Sequence, residues 1–166
     1  MHPPALLDEY KTLREDIKQR ISFRFQLFNL SLVALGGILS VGIGQNKPIV
    51  LLVYPVLSFF LTLSWIHQGV VMIKLSRYIR DELEPKIPGL AWESYINKNS
   101  KRFSGFSLIG LFATSGFILF SQSLTLTLAA IGIPAWNGST IFLWIIACIV
   151  TLLTLCFLVV FSRMKR

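Results

Sequence analysis

The side chains able to do chemistry in this 166-residue chain are few and scattered. Its two histidines are His2 and His67, and its two cysteines are Cys148 and Cys156. Neither pair has neighbours at metal-ligand spacing, and the cysteines read as small apolar fillers. No HExxH, GxSxG, phosphate-binding loop or CxxC occurs. Asp8, Glu9, Glu15, Asp16, Asp81, Glu82, Glu84 and Glu93 all sit among bases, as solvated helix charges do. The expectation is therefore no enzyme, no metal and no cofactor. Uncharged polar residues inside apolar stretches are more numerous: Gln26 and Asn29, then Ser58, Thr62 and Gln122, and Ser121, Ser123, Thr125 and Thr127. In hydrocarbon each needs a partner, so they predict helix interfaces first and a wet lumen second. His67, between Ile66 and Gln68, reads as a hydrogen-bonded boundary histidine, with a proton-sensing gate as the sharper alternative.

The elements that must hold these residues follow from the charge pattern. The chain is 54% hydrophobic and 14% charged, with mean hydropathy +0.65, far more apolar than a soluble domain. Residues 25–46, 48–73 and 103–162 contain no Asp, Glu, Lys or Arg. A span needs about 20 apolar residues to cross about 30 Å of hydrocarbon, so these stretches predict four spans, two of them in the last. Of 16 Lys and Arg, only Lys47 falls outside three segments that a single topology puts on one side. Bases near span ends stay in the cytoplasm, which predicts both termini inside an inner membrane. A net charge of +8 would suggest nucleic acid in a soluble protein. Here the interspersed acids dilute any phosphate-binding field, and anionic lipid headgroups are the expected partner.

The predicted fold class is all-α, a four-span transmembrane helical bundle with cytoplasmic helix extensions and an interfacial helix, forming one integral membrane domain. A cytoplasmic helix over 5–24 leads into span 1 at 25–44, and Gly44 to Pro48 makes the external turn. Span 2 covers 49–70, bent at Pro55, and continues as a cytoplasmic helix over 71–84 until Pro85 stops it. Leu6, Tyr10, Leu13, Ile17 and Ile21 form one apolar stripe, and Met72, Leu75, Ile79 and Leu83 another; as the two ends of one hairpin they should bury each other. Residues 90–102 predict an interfacial helix anchored by Trp92 and Tyr95, with Lys98, Lys101 and Arg102 reaching lipid phosphates. Spans 3 and 4 are expected at 105–129 and 140–161. Gly36, Ser40 and Gly44, each four apart, form a small-residue ridge that would let another helix approach span 1 within or between chains.

The runs LLDEYKTLREDIKQRISFRFQ, YPVLSFFLTLSWIHQG and SRYIRDELEPKIPGLAWESY resemble those of small bacterial multi-span membrane proteins from uncharacterised families. Their order of helix, two spans and helix is also similar to SLATT-type two-span modules, a likeness of architecture that covers about half the chain. That resemblance implies a membrane effector and carries over no functional residue. The expected function is a non-enzymatic membrane interaction or effector subunit, acting as a homo-oligomer or in a membrane complex and perturbing or permeating the bilayer when assembled. The alternative is a passive scaffold or anchoring subunit.

Overall fold

The computed structural model describes residues 3–164, with side chains at all of them except 3, 4, 100–109, 111, 112 and 164. His2, Lys165 and Arg166, and the Lys101 and Arg102 side chains assigned to lipid contact, lie outside this description. The chain is all-α: α1 (Pro3–Gly44), α2 (Val53–Tyr78), α3 (Trp92–Lys98), α4 (Ser100–Gly132) and α5 (Gly138–Met164), with no strand among the described residues. Four helical runs, Ala5–Gly44, Pro48–Lys86, Ala113–Gly132 and Gly138–Arg163, are long and apolar enough to cross a membrane. The chain divides into a charged unit, Met1–Phe25 with His67–Gly110, and an apolar unit, Gln26–Ile66 with Leu111–Arg166.

In the charged unit the two stripes do bury each other. Leu6, Ile17, Ile79 and Leu83 form its core, with Tyr10, Leu13, Met72, Leu75 and Ile87 packed around them. Ile21 is a correction: it is 41% exposed and falls outside that core. The second stripe is not all α-helix either. α2 stops at Tyr78, Ile79–Leu83 widens into a π-turn, and Glu84–Lys86 tightens into a 3-10 turn at Pro85. The extra residue accommodated by the wide turn lets Ile79, Leu83 and Glu84 all point inward. Polar ties join the same two helices: the Tyr78 hydroxyl donates to Glu9 at 2.8 Å, and Arg20 Nη1 donates to Gln68 Oε1 at 2.8 Å.

The predicted interfacial helix is shorter than 90–102. α3 ends at Lys98, because Asn99 turns out of helical geometry and its side-chain amide takes the Tyr95 carbonyl at 2.9 Å. α4 begins one residue later, so positions 101 and 102 belong to it and its helix starts before 105.

In the apolar unit four helical segments pack around Leu51, Leu52, Ala129, Ile133 and Ala147. α1 ends in a Schellman motif: Lys47 N–H donates to Gly42 O at 3.0 Å and Asn46 N–H to Ile43 O at 3.2 Å. The left-handed residue is Asn46, at φ 55°, a conformation asparagine tolerates. Pro48–Leu52 then forms a 3-10 turn, and Pro55 lies in the first turn of α2. The winding changes from 3-10 to α just before Pro55, at Val53. At the start of α5, Asn137 N–H donates to the Thr140 hydroxyl at 2.8 Å and that hydroxyl donates to Asn137 O at 2.8 Å.

Candidate functional site

Polar side chains gather in each unit separately. In the apolar unit, α2 contributes Tyr54, Ser58 and Thr62, four residues apart and therefore on one face. α4 contributes Ser121, Gln122 and Thr125, and α5 contributes Thr154; all seven are nearly or wholly buried. The Tyr54 hydroxyl donates to Ser121 Oγ at 2.9 Å, and Ser121 in turn donates to Ile118 O. Gln122 Nε2 donates to Thr154 Oγ1 at a long 3.3 Å. Thr62, Thr125 and Thr154 hydroxyls return to carbonyls of their own helices. Ser123 and Thr127 alternate out to the exposed side. Residues this deeply buried join helices and do not line a wet lumen within the unit. Two acceptors there, Gln122 Oε1 and Ser58 Oγ, make no hydrogen bond among the described residues. A neighbouring apolar crevice bordered by Leu27, Thr62 and Ile118 encloses about 10 Å³, no more than one water needs.

The other intramembrane candidates lie elsewhere. Gln26, Asn29 and His67 are exposed, and the side chains of Gln26 and Asn29 make no hydrogen bond among the described residues. Gly36, Ser40 and Gly44 are exposed too, and a Cβ added at Gly36 or Gly44 would meet nothing within 4 Å. Among the described residues no helix occupies that ridge at Gly36 or Gly44. The glycine that does permit close packing is Gly42, two residues away on the buried side, where a Cβ would run into the Leu51 side chain. A second close approach joins Gly132 to Pro48, whose Cβ would lie 2.8 Å from an added methyl.

In the charged unit the organising group is Glu84, which spacing alone did not single out. Its carboxylate accepts Glu93 N–H at 2.6 Å, Ser94 N–H at 2.9 Å and the Ser94 hydroxyl at 2.6 Å. It therefore supplies the side-chain cap that Ala91, at the α3 N-terminus, cannot. Glu93 then takes Arg14 Nη1 at 2.7 Å, and Arg14 Nε donates to the Tyr10 hydroxyl at 3.0 Å, so α3 is fastened to α1. Burial pushes the Glu84 pKa upward, but the Ser94 hydroxyl, the two backbone N–H groups and Arg14 outweigh it and hold the carboxyl below its usual range. Desolvation likewise opposes charge on Arg14, and the Tyr10 hydroxyl and Glu93 more than offset it, raising its pKa. With α3 so held, Trp92 and Tyr95 are 57% and 49% exposed, facing outward.

Tyr54 and Thr154 also escaped the sequence reading. Tyr54 carried a signal, being one turn before Ser58 and Thr62 on a single stripe; Thr154 carried none, since threonine in an apolar span commonly bonds its own helix. Among the described residues no group of three or more His, Cys, Asp or Glu could hold a metal ion.

These features define an all-α, multi-pass membrane protein whose buried polar groups in the apolar unit are uncharged and most of whose charged residues belong to the other unit. No family model, curated protein or solved structure matches the chain.

Proposed function

We propose that this protein is a non-enzymatic membrane interaction or effector subunit that acts on the bilayer by assembling through its spans. One observation carries the reading: in the apolar unit the buried polar groups tie helices together at Tyr54–Ser121 and Gln122–Thr154, whereas the carboxamides of Gln26 and Asn29 are exposed and bond to nothing among the described residues. An exposed carboxamide pair at the start of a span calls for an associated surface. Because the inward set is packed, permeation in this reading arises between chains and not through one. The similarity in element order to SLATT-type modules supports the effector sense, and the outward Trp92 and Tyr95 support lipid contact at the charged unit.

The proposed topology places both termini and the charged unit in the cytoplasm, from the asymmetry of Lys and Arg about the spans. Two measurements test the proposal together. Controlled expression should depolarise the inner membrane, and purified protein should leak ions from vesicles as an oligomer. A stable oligomer that never leaks selects the scaffold reading instead. With Cys148 and Cys156 replaced by Ala, Gln45→Cys and Ala135→Cys should react with an impermeant thiol reagent in intact cells and Lys98→Cys should not; the reverse labelling overturns the orientation.

A further inference from the structure

In residues 87–99 only Glu93 and Lys98 carry charge, and they fall on different sides of α3. Lys98 is exposed, and at 3.6 residues per turn it shares an arc of about 120° with Trp92 and Tyr95, the two large outward side chains. Glu93 is turned the other way, its side chain 15% exposed and its carboxylate on Arg14 Nη1 at 2.7 Å. The nearest acid before it, Glu84, is buried and engaged by the α3 backbone. The outward face of α3 therefore presents two amphipathic aromatic rings and one base, and no acid. Asn99 alone separates α3 from α4, and the charge-free stretch opens at Phe103, about 4.5 Å beyond Ser100 along a helix. A headgroup layer is about 5–8 Å deep, so α3 ends at its level.

We propose that the Arg14–Glu93 ion pair makes this face a seat for anionic phospholipid headgroups of the protein's own bilayer, with Trp92 and Tyr95 lodged in the headgroup layer and Lys98 against a phosphate. Trp and Tyr favour that layer because each has an apolar body and a hydrogen-bonding tip, and the lysine stem lets its ammonium reach past them. Neither property selects lipid charge unless Glu93 is kept away. It adjoins Trp92, and an outward carboxylate there would cancel Lys98 and repel a phosphate. Arg14 comes from α1, 79 residues earlier in the chain, so the sign of the face is fixed by the α1 contact and not by α3 itself. Arg80 also attracts Glu93, but its guanidinium is taken by Asp81 at 2.7 and 3.1 Å and does not replace Arg14. This rests on the lipid contact of the proposed function and adds Arg14 as a positioning residue that acts through Glu93.

The test follows Trp92 fluorescence in the full chain, with Trp65, Trp136 and Trp144 replaced by Phe, in vesicles of phosphatidylglycerol or phosphatidylcholine brominated at shallow acyl positions. Bromine quenches only in near contact, so both lipids should dim Trp92, and in mixtures phosphatidylglycerol should be preferred about fivefold, the effect of one base at an anionic surface. Salt at about 1 M should erase the preference. Arg14→Gln should remove it as well, and Glu93→Gln added to Arg14→Gln should restore it, since no acid is then left to turn outward. Quenching of Trp92 by aqueous acrylamide and by neither lipid would overturn the proposal. So would a preference that survives Arg14→Gln, or one that the added Glu93→Gln fails to restore. The double variant lacks the same ion pair, so mere loosening of α3 gives no restoration. A preference without ion leak would remove the effector reading and leave this contact standing; leak without a preference would do the reverse.

Discussion

Replacing Glu84 by Ala removes the acceptor of three hydrogen bonds that hold the start of α3, at 2.6, 2.9 and 2.6 Å. Bonds to a charged acceptor contribute about 1.5–3 kcal/mol each when both partners are dry. Ser94 is exposed, however, so water can take over part of that bonding. The loss of a helix cap is the better guide, and its upper range of about 2 kcal/mol is expected here because Glu84 itself is buried. That raises the open population of residues 92–98 about thirtyfold. Amide hydrogen exchange of the full chain in detergent, read on peptides covering 92–98, measures it directly, while peptides covering 5–20 should change little. The same bonds make α3 docking depend on pH. A carboxyl held below its usual range stabilises the folded form above the unfolded pKa of about 4.3, and this contribution is lost as pH falls through the lower, folded value. Exchange in 92–98, corrected for intrinsic rates, should therefore rise on acidification below about pH 4 in the wild type. In Glu84→Ala that increment should shrink. A change under about threefold at neutral pH, together with identical acid behaviour in the two proteins, would refute the claim that Glu84 holds α3.

Gly42→Leu should lower thermal stability in detergent by about 1–3 kcal/mol, as overpacking against buried Leu51 does, whereas Gly36→Leu should leave the unfolding of the dispersed chain unchanged. Ile79→Ala, at a position with no exposure, should cost about 2–5 kcal/mol and speed exchange in both 5–20 and 72–83, since one core serves both stripes. Tyr54→Phe should destabilise by about 1 kcal/mol through loss of the Ser121 bond. Gln122→Met should fall below that in denaturant titrations, because one bond is long and the other acceptor is already unpaired.

The spans and the mutual burial of the two stripes were legible in sequence because both depend on periodicity and charge exclusion, which a helix converts directly into a face or a depth. Leu6, Leu13 and Ile17 announce their partners by spacing, and Met72, Leu75, Ile79 and Leu83 answer in kind. Ile21 continued the spacing but not the contact, because burial also needs an opposing surface at that level. The glycines show the same limit. Gly36, Ser40 and Gly44 matched a packing pattern and face outward, while Gly42, which matched none, meets Leu51 because the Schellman turn at Asn46 brings the 3-10 segment back across it.

Length, hydropathy and the placement of Lys and Arg thus determined by themselves an all-α chain with four helices able to cross a membrane and with its charges kept out of the long apolar stretches. Only the tertiary structure decided which polar residues are spent. Gln122 and Gln26 are chemically alike, yet one is enclosed by α5 at Thr154 and the other looks outward with no partner. Glu84 is one carboxylate among eight, and its capping role arises because the π-turn aims it at backbone N–H groups nine and ten residues further along the chain. A hydrogen bond requires position and direction in three dimensions, and a linear pattern specifies neither.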